Sequence, residues 1–142
     1  MIIQINDGRK TYDIQNQDGE IVGRVCFDPT NINVITKTDE FLENIKRILK
    51  EVSNISKSDG IGAISEKEML LRETINDFFD SDVVTPFSNI RGLLSPAGPG
   101  KFFAETVLES LFNIVNEEYE KSKRDNEYMN EDLAEYVDGV KE

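Results

Sequence analysis

The sequence predicts an α+β fold in which an N-terminal three-stranded antiparallel β-meander packs against a bundle of three to four helices. Two observations predict it. The first 27 residues alternate apolar and polar positions and are broken by two turn signals, Asp7-Gly8 and Asn16-Gln17-Asp18-Gly19. Beyond residue 31 the apolar residues instead recur three and four positions apart, with charges between them. A chain of 142 residues matches one domain with one core. That domain is expected over 1–124, with 125–142 as an acidic tail or short docked helix.

The alternation places strands at 2–6, 10–15 and 20–27. Ile3 and Ile5, Tyr12 and Ile14, then Ile21, Val25 and Phe27 are expected to share the inward face. A sheet this small with one apolar face needs a cover. Asp28-Pro29 stops the last strand, because proline cannot donate to a ladder, and Asp28 or Thr30 is the expected cap of a helix over 31–55. Phe41, Leu42, Ile45, Ile48, Leu49 and Val52 form the covering stripe of that helix, and a break at Thr36 with a restart at Thr38 or Asp39 is its alternative start. After a Ser/Gly-rich connector, Ser65-Glu66-Lys67-Glu68 has capping-box spacing and opens a second helix over 65–79.

Residues 80–100 contain three of the four prolines and are expected to form a long ordered loop with room for a helical turn. Its apolar residues Val83, Val84, Phe87, Ile90, Leu93 and Leu94 would be costly to leave in water, so they should pack on the core or on a partner. They are the candidate partner-binding residues. From Gly100 the run Phe102, Phe103, Val107, Leu108, Leu111, Phe112, Ile114, Val115 is the strongest helical pattern in the chain and marks a core helix over 101–123. Met129, Leu133, Tyr136 and Val137 allow a short helix at 130–138, with a frayed tail as the other reading.

The net charge of −12 is unevenly placed. Residues 1–64 carry 8 basic and 10 acidic groups, whereas 65–142 carry 8 and 18. Such a surface repels phosphate backbones and anionic lipid, so neither nucleic acid nor membrane is an expected partner. No apolar run reaches the roughly 18 residues of a membrane span, and the first residues lack the pattern of a secretion signal. A cytoplasmic protein is expected. Cys26 has no second cysteine to pair with and no histidine to activate it, so it is read as a buried structural thiol.

The lack of histidine removes the commonest general base and metal ligand. Carboxylates remain, densest at Asp77, Asp80 and Asp82, but the glycine and glutamate of a calcium loop are missing from their places, and a solvated helix end is the better reading. Pro99-Gly100-Lys101 fails the phosphate-loop pattern, because Ser95 and Phe102 stand at its glycine and hydroxyl positions. No serine has an evident base partner. The residues therefore nominate no catalytic, cofactor or metal site, and a non-enzymatic protein that binds other proteins is expected, with the sheet end as scaffold or as an edge for self-association.

Three stretches together carry a resemblance: Phe27-Asp28-Pro29-Thr30-Asn31-Ile32, Ile75-Asn76-Asp77-Phe78-Phe79-Asp80, and the run from Ser95-Pro96 through Phe102-Phe103 to Leu108-Glu109-Ser110-Leu111-Phe112. Their arrangement resembles small acidic proteins encoded in the tail-assembly region of siphophages and Gram-positive prophages, similar to tail assembly chaperones. The usual Phe-Gly after the second helix is replaced by Ser81-Asp82-Val83. The resemblance implies a protein that keeps an aggregation-prone tail component, such as the tape measure protein, soluble in the bacterial host cell. Two rival classes are an acidic DNA mimic that inhibits a host nuclease and a carboxylate-metal enzyme built on Asp77, Asp80 and Asp82.

Overall fold

The computed structural model describes residues 1–141, with side chains for all of them except Lys57 and 125–141. Its architecture is α+β, with five helices and two small antiparallel sheets. The first sheet holds two strands, β1 (Lys10–Gln15) and β2 (Ile21–Phe27), rather than the expected three. Their turn is closed by Asn16, whose side chain accepts from Asp18 N and Glu20 N, while Gly19 takes a φ of 82°.

Residues 2–6 form no strand, and the reason is local. Asn6 Oδ1 accepts from Gly8 N at 3.0 Å and Asp7 Oδ1 from Arg9 N at 3.1 Å. Gly8, at φ 80°, lies so close to Asp28 that a Cβ there would sit 2.9 Å from its carboxylate. The chain therefore runs past the end of β2 instead of doubling back along β1. Asp7-Gly8 is a turn signal whose side chains bond locally without making a hairpin.

Alternation along β2 points Val25 and Phe27 inward, both buried. Cys26, opposite Thr11, is thereby exposed, which corrects the expectation of a buried thiol. Gly23 shares the inward face and lets α4 (Val84–Ser88) approach: a Cβ at 23 would meet the Pro86 carbonyl at 3.4 Å.

The helix expected over 31–55 is two, α1 (Ile32–Thr36) and α2 (Thr38–Ser53), broken where Thr36 suggested. Asn31, not Asp28 or Thr30, caps α1 by accepting from Asn33 N at 2.9 Å; Asp28 instead accepts from Thr30 N. The next helix, α3 (Gly60–Phe79), starts five residues before the predicted position. A capping box forms upstream instead, where Ser56 caps a short 3-10 turn over 57–59 and pairs with Asp59, while α3 itself has no side-chain cap bond. Glu68 is consequently free to reach across and accept from Leu93 N at 2.7 Å. The 80–100 segment contains α4 and β3 (Pro96–Gly98), which pairs with β4 (Lys101–Phe102) around a Pro99-Gly100 turn. The last helix, α5 (Phe103–Lys141), runs unbroken for 39 residues, about 58 Å. It replaces both the 101–123 helix and the separate short helix or frayed tail expected after it.

One core joins these elements: Val25 and Phe27 of β2, Phe41, Ile45, Ile48 and Leu49 of α2, Leu71, Ile75 and Phe79 of α3, and Val107, Leu108, Leu111 and Val115 of α5. Its centre is aromatic. The Phe41 and Phe78 rings stack with centroids 3.9 Å apart, and Phe79 meets Phe27 edge-on at 5.3 Å.

Candidate functional site

A groove of about 720 Å³ lies between β1 and α5. Its β wall is a run of consecutive residues, Tyr12 through Gln17, so the groove follows the outer edge of the strand and not only its face. The helical wall is Phe103, Thr106, Val107, Ser110 and Ile114, one stripe of α5 at three- and four-residue spacing. Val25, Phe87 and Ile90 complete the lining. Most of these side chains are apolar, and the volume falls in the range of sites that take ligands or short peptide segments.

Beyond Ile114 along α5, the Glu118 carboxylate accepts from Lys10 Nζ and ties the start of β1 to the helix. That hydrogen bond holds Glu118 below the usual carboxylate range. The Tyr12 hydroxyl is buried beside it without a hydrogen-bond partner in good geometry. Burial, reinforced by the carboxylates of Glu118 and Glu117, pushes this hydroxyl up to about 12. Among the described residues no backbone hydrogen bond reaches the outer edge of β1. An apolar groove beside an open strand edge has the geometry to receive an extended chain, since such an edge offers backbone partners and such a groove takes alternate side chains.

The six loop residues nominated from sequence divide between core and groove. Val83, Val84 and Leu93 are fully buried and Phe87 nearly so, while Leu94 packs partly against the core. Ile90, 40% exposed, is the member that reaches the surface, and with Phe87 it lines the groove. The loop apolars thus pack inward because α4 turns them onto β2 and α3. Tyr12, Ile14, Phe103 and Ile114 were not nominated. For Phe103 and Ile114 the signal was the width of the apolar arc on α5, since Phe103, Val107 and Ile114 on one side and Leu108, Val115 and Phe112 on the other cover more than one face.

The Asp77, Asp80 and Asp82 carboxylates do not converge. Asp82 Oδ1 accepts from Asn76 Nδ2 at 3.0 Å and Thr85 N at 3.1 Å, opening α4, and these bonds, led by Thr85, lower its pKa. Asp80 caps α3 in the left-handed region at φ 51°. Among the described residues no group of three histidine, cysteine or carboxylate side chains stands close enough to hold a metal ion. No helix among them is long and apolar enough to cross a membrane. Comparison of the chain with protein-family models, curated proteins and solved structures gives no match.

Proposed function

We propose that this chain is a non-enzymatic protein-binding protein, a tail assembly chaperone of a phage or prophage that works in the cytoplasm of the bacterial host. In this reading the groove between β1 and α5 takes an extended apolar segment of a client such as the tape measure protein and keeps it from aggregating. The observation that carries the reading is the coincidence of an apolar groove with an open strand edge on a chain of charge −12. The groove supplies binding, and the charge keeps a chaperone loaded with a greasy segment in solution. The phage assignment rests on the resemblance of the Phe27–Ile32, Ile75–Asp80 and Ser95–Phe112 stretches to tail-region proteins.

The test is capture of the co-expressed tape measure protein by the tagged chain. Deleting the 80–100 segment would remove Val83, Val84 and Leu93 from the core, so point variants are needed. Ile90 and Ser110 are exposed and line the groove. Ile90→Glu with Ser110→Glu should lower capture at least tenfold while the circular dichroism spectrum stays that of the parent. Undiminished capture by this double variant would refute the reading.

A further inference from the structure

Residues 1–5, Met-Ile-Ile-Gln-Ile, are four-fifths large apolar side chains, yet Ile2, Ile3 and Ile5 are 94%, 74% and 76% exposed. They belong to no element and make no hydrogen bond among the described residues. Their composition and alternation nonetheless suit a strand, with Met1, Ile3 and Ile5 on one face. The chain therefore carries two unmatched halves of a strand pair: a free apolar segment and, beside the apolar groove, a free edge on β1.

The two halves do not meet within one molecule. The groove lies along Tyr12–Gln17, toward the hairpin turn, whereas residues 1–9 leave from the opposite end of β1. There Asp7 and Arg9 border a small cleft with Asp28, Asn31 and Asp80, and Gly8 sits against Asp28. The local bonds from Asn6 and Asp7 keep the segment on that outward course.

We propose that two copies of this chain exchange their first five residues, each laying Met1–Ile5 along the outer edge of the partner's β1 with Ile3 and Ile5 in the groove. The lengths agree: five extended residues span about 17 Å, the same reach as Tyr12–Asn16. Reciprocal exchange closes a two-fold dimer, because it uses the free segment and the free β1 edge of both chains and leaves neither to recruit a further copy. It also converts each two-stranded sheet into three strands, the size at which a small sheet becomes stable. This inference rests on the groove being a receptor for extended apolar chain; the occupant it names is the second copy, which a client would displace.

The experiment uses the full chain in a Cys26→Ser background. Equal amounts of an Ile3→Cys chain and a Ser110→Cys chain are mixed and oxidised, so that any 3–110 disulfide must join two molecules. A linked heterodimer on a non-reducing gel is expected, and its absence overturns the proposal. In the Ile3→Cys, Ser110→Cys double variant, a disulfide that leaves the chain monomeric places the segment in its own groove and also overturns it. Light scattering supplies an independent arm: the parent should be a dimer whose melting temperature rises with concentration, and Ile3→Asp with Ile5→Asp a monomer that keeps the parent's circular dichroism spectrum and melts lower, independently of concentration. The two readings fail separately. A monomeric parent that still captures client through the groove refutes exchange alone, whereas a linked heterodimer with no client captured refutes the proposed function alone.

Discussion

Tyr12 stands where the strand, the long helix and the groove meet. Its ring packs 5.8 Å from Phe27, while its hydroxyl is buried with no partner in good geometry beside Glu118. Unfolded tyrosine titrates near 10, and in the folded chain this group is pushed up to about 12. A folded value above the unfolded one means the contribution to stability is complete below about pH 10 and is lost as pH rises toward 12. Tyr12→Phe should therefore flatten the fall in melting temperature between pH 9 and pH 11 while leaving the melt at pH 7 close to that of the parent. Equal slopes for parent and variant would show that Tyr12 is not the group responsible. At the same scale, Glu68 and Asn31 show how local chemistry is reassigned. Spacing marked Glu68 as half of a capping box, but the helix began earlier and freed it for the Leu93 backbone.

At the scale of elements, the 80–100 segment best separates what patterning reveals from what it hides. Its apolar residues were legible as needing cover and a helical turn was allowed for, whereas the place of α4 was not legible, because five residues around Pro86 carry too little periodicity to mark it. Position decides their energetic weight. Leu93, fully buried, should cost about 2–5 kcal/mol when truncated to alanine, since the transfer loss is compounded by a cavity. Ile90, on the groove lip, should cost under about 1 kcal/mol by the same change, because surface truncations lie near zero. Chemical denaturation of the two variants measures both, and similar losses would mean that Ile90 belongs to the core. The N-terminal strand is the opposite case. Alternation in residues 2–6 was plain, but a strand also requires a neighbour, and within one molecule the turn at Asn6–Arg9 denies it one.

For the molecule as a whole, the charge of −12 sets an opposing force that the core must exceed. Repulsion is concentrated in residues 65–142, which hold 18 of the 28 acidic side chains. Raising sodium chloride from about 0.1 M to about 1 M shortens the screening length from ~10 Å to ~3 Å, so the melting temperature should rise. A fall over that range would mean that ion pairs such as Lys10–Glu118 and Lys67–Glu51 outweigh the repulsion. The sequence by itself determined the α+β class, the hairpin around Asn16–Gly19, the inward places of Val25 and Phe27 on β2 though not of Ile21, those of Phe41, Ile45, Ile48 and Leu49 on α2 and of Val107, Leu111 and Val115 on α5, and the uneven charge. Those follow from periodicity and composition, which act between residues near one another in the chain. Only the tertiary structure decided that the loop apolars turn inward onto the core and that β1 and α5 stand apart as a groove. Each depends on which distant surfaces meet, and local spacing carries no record of that.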